Sequence, residues 1–261
     1  MPDQLQPGLN IKDYEKWVRE NVNNPLITLT DNNVNHVPQR KGIYFWFMLP
    51  DGYQVLSKNL PNNLQPVQPL IELDNYHLIY IGTAGTGKDG NGHLRQRLEC
   101  HIAQKHLRSA VCSGALSTFR TGISSLISDD LILYPGSSTE TEVNNIFSRY
   151  LKVFWMEYQD DQDAQIDNDE TILINNLKPL FNIRNNPNQN NQYYPTYLYR
   201  ERRQRVIQRT KQRLNCNAGD NNPQNNRRRT NEAKIEFKGH TYTLSTEQAE
   251  RLSKMKMTSP Y

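Results

Sequence analysis

Residues 77–89 read "HLIYIGTAGTGKD", and two interpretations of this stretch predict different proteins. The spacing Gly-x-x-x-x-Gly-Lys at 82–88, directly after an apolar strand, is close to that of a phosphate-binding P-loop and would predict a nucleotide hydrolase. The triplet "YIG" at 80–82 can instead form half of a catalytic site. The other half would then be "GIY" at 42–44, which opens an aromatic run with strand character.

The residues after the second triplet disfavour the P-loop. A P-loop needs a Ser or Thr hydroxyl for Mg²⁺ after its lysine and a helix that opens directly from the loop. Here Asp89 follows Lys88, which places a carboxylate where the hydroxyl should be. The next residues, 90–92, read Gly-Asn-Gly and are poor helix formers. Lys88 remains a candidate phosphate contact under either interpretation.

Composition limits the class of protein. The 261 residues are 36% hydrophobic with a mean hydropathy of −0.82, which allows one sizeable core with long polar segments. No apolar run approaches the roughly 18 residues of a membrane span, and the N-terminus lacks a signal-peptide pattern. Cys100, Cys112 and Cys216 are widely spaced without a CxxC pair. We therefore expect neither a disulfide framework nor a thiolate zinc site, and a reducing cytoplasm.

Positive charge is concentrated in one segment. Residues 200–229 contain ten Lys and Arg against two acidic residues, a local net charge of +8, so the rest of the chain carries −4. Such a patch predicts a polyanionic partner, most often nucleic acid. The alternative is a solvated tail that only keeps the protein soluble.

Periodicity and turn signals predict the order of the elements. Strands are expected at 42–49, at 54–57 after a turn at 50–53, at 77–82, at 152–158, and in a hairpin from 234. Helices are expected at 11–21, 93–107, 116–127, 139–151, 170–177 (capped by Asn168 or Asp169), 197–214 and 246–257.

Polar side chains with phosphate or metal chemistry follow the two triplets. Arg97 and His101 are four residues apart on a predicted helix, about 40° apart around its axis and beside its apolar stripe. Taken alone, the pair also fits a half-exposed helix surface. Glu170 lies in the predicted first turn of a later helix, where it also fits a simple interaction with the helix dipole. Asn182 follows twelve residues after it.

In this order, the segments resemble the GIY-YIG nuclease superfamily. The matching pieces are "GIY" at 42–44, "YIG" at 80–82, "LRQRLECH" at 94–101, "STFR" at 117–120 and the Glu-to-Asn segment at 170–182. The Arg-x-x-x-His pair and the last segment are most similar to the restriction-endonuclease-type members. The chain departs from the family pattern in one respect, because the two tyrosines are 36 positions apart where the family has a short hairpin. The Pro- and Asn-rich piece at 57–76 is then an insertion.

The resemblance implies a fold and a division of the chain. The fold is α/β (α+β), with a small central antiparallel β-sheet flanked by helices. The segments implied are an N-terminal helical extension at 1–30, the nuclease core at 31–190, a basic helix at 191–214, a linker at 215–233 and a small ββα unit at 234–261.

The resemblance also implies catalytic roles. Glu170 would be the carboxylate on one Mg²⁺ or Mn²⁺ ion, which also contacts the phosphate. Tyr44 would be the general base or would orient the attacking water, and Arg97 would bind the scissile phosphate. His101 would relay the proton of Tyr44 or contact the phosphate.

The other implied roles are supporting ones. Tyr80 and Asn182 would position the catalytic groups through hydrogen bonds. Arg120 would be structural or would touch DNA, and Lys88 would be an extra phosphate contact. The basic helix would track phosphates through the side chains of Arg202, Arg203, Arg205 and Arg209.

These roles predict a cytoplasmic, metal-dependent endonuclease that acts on double-stranded DNA in restriction or phage defence. No association with a membrane is expected. A homing or repair nuclease is the alternative among enzymes, and a catalytically inactive nucleic-acid-binding module is the alternative outside them. Cleavage of two strands by a one-site enzyme leaves open a homodimer on DNA or sequential nicking.

Overall fold

The computed structural model describes most of the chain, namely residues 2, 5–57, 71–85, 92–102, 108–113, 116–127, 138–192, 195–216, 233–237 and 240–244. Lys88 and the rest of residues 86–91 in the glycine-rich loop lie outside the described residues. So do most of the proposed insertion and the helix predicted at 246–257.

A four-stranded antiparallel sheet forms the centre of the molecule. Its strands, in the spatial order β2-β3-β1-β4, are β1 (Lys41–Met48), β2 (Glu72–Leu73), β3 (Tyr76–Ala84) and β4 (Leu151–Tyr158). The central β1 pairs with both β3 and β4, and it is buried from Gly42 to Met48. A strand covered on both faces needs apolar side chains on both, which explains its unbroken aromatic sequence.

Helices cover both faces of this sheet. They are α1 (Ile11–Asn21), α2 (Pro50–Ser57), α3 (Leu94–Ile102), α4 (Arg108–Ser113), α5 (Thr118–Ile127), α6 (Ser138–Tyr150), α7 (Asp163–Leu177) and α8 (Pro195–Arg213). Strands β5 (Ala233–Phe237) and β6 (His240–Leu244) pair separately as a hairpin. The predicted α/β fold with a small antiparallel sheet flanked by helices is confirmed.

Alternate residues of β1 point into two different apolar layers. Ile43, Phe45 and Phe47 pack with α1 and α7 on one face. Tyr44 and Trp46 pack with α2, α3, α5, α6 and α8 on the other. The two-residue period of a strand thus sends the tyrosine of the first triplet to the face covered by most of the helices.

Two of the predicted elements are wrong. The expected second strand at 54–57 belongs to α2, which begins at Pro50, a favourable first residue for a helix, and buries Tyr53 and Leu56. The helix expected from residue 170 begins seven residues earlier, at Asp163, so neither Asn168 nor Asp169 caps it. Glu170 therefore lies in the middle of α7, away from the N-terminal turn where the helix dipole would favour a carboxylate.

The expectation about cysteines is also wrong, because Cys112 in α4 and Cys216 after α8 form a disulfide with a Cα–Cα distance of 5.3 Å. The two residues are 104 positions apart, and only the packing of α4 near α8 brings them together. Cysteine spacing in a sequence cannot show such a pairing. Cys100 is free and exposed.

The basic helix α8 packs on the core through its apolar side chains. Tyr199 is buried, and its hydroxyl donates a hydrogen bond to the backbone oxygen of Thr118 at 3.0 Å. A Cβ atom at Gly122 of α5 would lie 1.5 Å from that hydroxyl, so glycine is required for this close approach. Within the described ranges, no helix combines the length and apolar character needed to cross a membrane.

Candidate active site

A cavity of about 420 Å³ opens where β1 and β3 meet α3 and α7. It contains five of the six catalytic residues predicted from the sequence. They come from four separate segments of the chain, and they are Tyr44, Tyr80, Arg97, Glu170 and Asn182.

The pairing of β1 with β3 brings the two triplets together. The register sets Tyr44 directly opposite Gly82. A Cβ atom at Gly82 would lie 2.4 Å from the hydroxyl oxygen of Tyr44 and 2.5 Å from its Cζ. The glycine of the second triplet therefore leaves the space that the tyrosine ring of the first one occupies.

The Tyr44 hydroxyl interacts with three other side chains of the site. It lies 2.9 Å from Nε2 of His101 and also hydrogen-bonds with the side chains of Arg97 and Tyr80. Burial raises the pKa of Tyr44, while the charge and the hydrogen bond of Arg97 lower it and the charge of Glu170 raises it further. Burial dominates, so the phenol keeps its proton at neutral pH.

Tyr80 supports Tyr44 from the neighbouring strand. Its ring stacks on Phe119 of α5 at 4.6 Å between centroids, and it lies 6.3 Å from the ring of Tyr44. Burial, followed by the proximity of Tyr44, raises the pKa of Tyr80 well above its usual value. Tyr80 is therefore a neutral hydrogen-bonding group in this site.

His101 lies behind Tyr44 and is 1% exposed. Its Nδ1 is 3.1 Å from the hydroxyl of Ser117, so both ring nitrogens are engaged inside the protein. Burial lowers the pKa of His101 well below its usual value, and the charges of Arg97 and Arg120 lower it further. The imidazole is neutral, and neither nitrogen is available to a phosphate in the cavity.

The prediction that Arg120 binds nucleic acid is wrong. Its side chain is 0% exposed, and it donates a hydrogen bond at 2.8 Å to the backbone oxygen of His101. It also hydrogen-bonds to the side chain of Asn144 and lies over the ring of Phe147. A buried guanidinium with these partners joins α3, α5 and α6, which is the structural role that the sequence left open.

Arg97 lies on α3 with its guanidinium toward the Tyr44 hydroxyl. The proximity of Tyr44 raises the pKa of Arg97, and burial opposes this only in part. The side chain is therefore a permanent cation on the cavity wall.

Glu170 supplies the only carboxylate among the described residues that line the cavity. Burial raises its pKa to about 7, Asp167 raises it as well, and Arg184 and Arg97 lower it. Within the described part of the chain, no group of three or more His, Cys, Asp or Glu side chains forms a metal cluster. A single carboxylate fits Mg²⁺ or Mn²⁺, because these hard ions keep several waters, and a cation would offset the burial of its charge.

Asn182 holds the turn after α7 against β3. Its Oδ1 accepts the backbone N–H of Ile81 at 2.8 Å, and its Nδ2 donates to the backbone oxygen of Ile81 at 2.7 Å. The backbone N–H of Phe181 donates to the oxygen of Ile79 at 3.0 Å. Among the described residues, no strand pairs with the edge of β3 at Ile79 and Ile81, and these bonds take the place of strand pairing there. They also set the distance between α7 and the second triplet.

Sequence reasoning missed two features of the cavity. Arg184 lines it, and its position two residues after Asn182 was the available signal. Arg203, predicted on a separate basic helix, lines the same cavity and donates from Nε to the Thr121 hydroxyl.

The other arginines of α8 are arranged differently. Arg202 donates to the backbone oxygen of Ser125 in α5, whereas Arg205 and Arg209 are exposed.

Comparison with protein families identifies the domain that contains this cavity. The family model described as the GIY-YIG catalytic domain matches residues 42–205, well over half of the chain. Searches among curated proteins and among solved structures returned no match.

Proposed function

The chain belongs to the GIY-YIG catalytic domain family, and this membership indicates a nuclease. We propose that the protein is a divalent-metal-dependent endonuclease that hydrolyses the phosphodiester bonds of double-stranded DNA. The observation that carries the proposal is the meeting of Tyr44, Arg97 and Glu170 in one cavity. These three side chains offer the groups that phosphodiester hydrolysis needs, namely a water-activating oxygen, a phosphate-binding cation and a carboxylate for a metal.

Tyr44 is the proposed group that activates or orients the attacking water. A phenol is a poor base at neutral pH, because burial keeps it protonated. Its hydrogen bond to the neutral imidazole of His101 supplies an acceptor for the phenol proton, and Arg97 stabilises negative charge on the oxygen. A DNA phosphate that displaces water from the cavity leaves these contacts in place, since His101 lies on the inner side of Tyr44.

The cationic wall of the cavity is proposed to hold the scissile phosphate. Arg97 is the inner cation and can contact two phosphate oxygens at once. Arg184 and Arg203 line the outer parts of the same cavity. Three arginines around one opening favour an anionic backbone, and two of them, Arg97 and Arg184, also favour the charged form of Glu170.

Glu170 is the residue proposed to hold Mg²⁺ or Mn²⁺. Such an ion, when bound, stabilises the charge that develops on the phosphate and on the leaving 3′-oxygen. Asn182 keeps the end of α7 against β3 and so keeps Glu170 opposite Tyr44 and Arg97. Tyr80 holds the Tyr44 hydroxyl in place through its hydrogen bond.

Restriction or phage defence is the proposed biological use, because the Arg97–His101 pair and the Glu170-to-Asn182 segment are most similar to restriction-type members of the family. A homing or repair nuclease is the alternative. Exposed arginines of α8 are proposed to add sequence-independent affinity, and the 57–76 insertion and the unit from 234 to add groove contacts. A homodimer on DNA and sequential nicking remain the two ways to cut both strands.

The cytoplasm is the proposed location, because the three cysteines are few and widely spaced in the sequence. The Cys112–Cys216 disulfide opposes this proposal, because disulfides rarely persist in a reducing compartment. Alkylation of free thiols in freshly lysed cells, followed by mass spectrometry, tests it. Three alkylated cysteines are expected in the cytoplasm, and a single one at Cys100 contradicts it.

Cleavage of supercoiled plasmid with Mg²⁺ or Mn²⁺, with and without EDTA, tests the proposed function. Glu170→Gln should lower the cleavage rate by at least about 10²-fold while DNA binding is kept, because the metal-binding charge is lost. Asp161→Asn, which removes an exposed carboxylate just before α7, is the matched control and should cleave normally. Binding without cleavage of any DNA by the wild type would favour the inactive module instead.

A further inference from the structure

A chain of hydrogen bonds runs from the cavity into the protein through three side chains. The Tyr44 hydroxyl lies 2.9 Å from Nε2 of His101, and Nδ1 of His101 lies 3.1 Å from the hydroxyl of Ser117. Ser117 directly precedes α5 and is 6% exposed. Its oxygen also accepts the backbone N–H of Arg120 at 3.2 Å. Both ends of the imidazole are thus shielded from water and held by protein groups.

The direction of these bonds follows from a count of donors and acceptors. Arg97 can only donate, so its hydrogen bond fills one acceptor site of the Tyr44 oxygen. The second acceptor site must stay open for the proton of the attacking water, as the proposed function of Tyr44 requires. The phenol proton of Tyr44 is then left to point at Nε2 of His101.

The same count assigns the proton on His101. A neutral imidazole carries one proton, and a nitrogen that accepts a hydrogen bond is the one without it. Because Nε2 accepts from Tyr44, the proton resides on Nδ1, where the Ser117 hydroxyl oxygen lies within hydrogen-bonding distance. The backbone N–H of Arg120 keeps that oxygen in position at the start of α5.

We propose that Ser117 is a positioning residue for the reaction, because its hydroxyl accepts the Nδ1 proton of His101 and holds the imidazole in the tautomer whose Nε2 can take the proton of Tyr44. This inference rests on the proposed function of Tyr44 in activating water. Ser117 itself touches neither the cavity nor the substrate, and it acts only through His101.

In the step that Ser117 supports, one proton moves from the attacking water to the Tyr44 oxygen as the phenol proton moves to Nε2 of His101. The water oxygen forms the new bond to phosphorus, and the bond from phosphorus to the 3′-oxygen breaks. The 3′-oxyanion takes a proton from solvent. His101 later returns its extra proton through Tyr44 to solvent, since burial, Arg97 and Arg120 all disfavour the imidazolium.

A helix N-cap is the simpler role for Ser117, and substitutions at this one position separate the two roles. Glycine is tolerated at N-caps with a loss of only a few tenths of a kcal/mol, whereas alanine loses more. A capping role therefore predicts that Ser117→Gly behaves like the wild type. A positioning role predicts that Ser117→Gly and Ser117→Ala lose activity alike, since neither has a hydroxyl.

The first experiment measures plasmid cleavage by the full chain. We expect kcat to fall about 10²-fold in both Ser117→Gly and Ser117→Ala, with KM within about twofold, and Ser117→Thr to restore most of it. The matched control is Ser124→Ala, which removes a buried hydroxyl of α5 that donates to the backbone oxygen of Thr121. Wild-type kcat in Ser117→Gly would overturn the proposal.

The second experiment is independent of cleavage and records the imidazole nitrogens by ¹⁵N NMR. We expect His101 as the Nδ1–H tautomer in the wild type and in Ser124→Ala, and a shift toward Nε2–H in Ser117→Gly. An Nε2–H tautomer in the wild type, or no shift in Ser117→Gly, overturns the role of Ser117. If no DNA is cleaved by the wild type, the proposed function fails, whereas the NMR result still decides whether Ser117 sets the tautomer.

Discussion

Tyr44 and Gly82 face each other across β1 and β3, and the tyrosine ring fills the space that a side chain at residue 82 would need. This relationship explains why a tyrosine in one triplet requires a glycine in the other. It also explains how the Tyr44 hydroxyl comes within reach of α3, where Arg97 and His101 are found.

Gly82→Ala should therefore displace the Tyr44 ring. The added Cβ would lie 2.4 Å from the hydroxyl oxygen, so we expect a loss of about 1–3 kcal/mol in the free energy of unfolding and of about 10²-fold in cleavage rate. Urea unfolding and plasmid cleavage measure the two effects. In a Tyr44→Ala background the same substitution should be nearly neutral for stability, and an equal loss there would contradict the proposed clash.

His101 should make the folded protein less stable as the pH falls. In the folded state its pKa is well below the value near 6.5 that it has in the unfolded chain. At a pH between these two values, only the unfolded state binds the proton. Stability is then fully present above about pH 6.5 and is lost as the pH falls, with a slope that approaches about 1.4 kcal/mol per pH unit.

Urea unfolding of the wild type and of His101→Gln between pH 5 and 8 measures this contribution. The difference in unfolding free energy between the two proteins should shrink as the pH is lowered. The comparison removes the effects of other titrating groups that the two proteins share. A difference that stays constant would show that His101 is protonated equally in both states.

The Cys112–Cys216 disulfide should stabilise the attachment of α8 to the core. It joins residues 104 positions apart, and a disulfide typically contributes about 2–4 kcal/mol by restricting the unfolded chain, with a larger contribution from longer loops. Thermal unfolding with and without reductant should show a clear decrease in Tm on reduction. Cys216→Ser should lower Tm in the same way and then be insensitive to reductant, whereas Cys100→Ser should leave both results unchanged.

Exposed cations of α8 should set the salt dependence of DNA binding. Arg205→Gln should reduce the slope of the logarithm of the binding constant against the logarithm of salt concentration by about 0.9, the value for one phosphate contact. Fluorescence anisotropy with one duplex at several salt concentrations measures it. Lys16→Gln, which removes an exposed cation from α1 on the other face of the sheet, should leave the slope unchanged.

Local patterns were sufficient where neighbouring residues decide the outcome. The aromatic run at 42–49 predicted the central strand because a strand covered on both faces needs apolar side chains throughout. The expected strand at 54–57 failed because four residues are too few for periodicity to separate a strand from the end of a helix. The start of α7 failed because its first turns are polar, and Ile166 packs against the core only through tertiary contacts.

By itself, the sequence determined the type of fold and the identity of most of the groups in the cavity, because strand and helix periods and the ordered motifs are local properties of the chain. Only the tertiary structure decided what each group faces. It placed Arg203 in the cavity and Arg120 in the interior, paired Cys112 with Cys216, and set His101 between Tyr44 and Ser117. These contacts join residues from different elements, and their burial and hydrogen bonds arise only when those elements pack together.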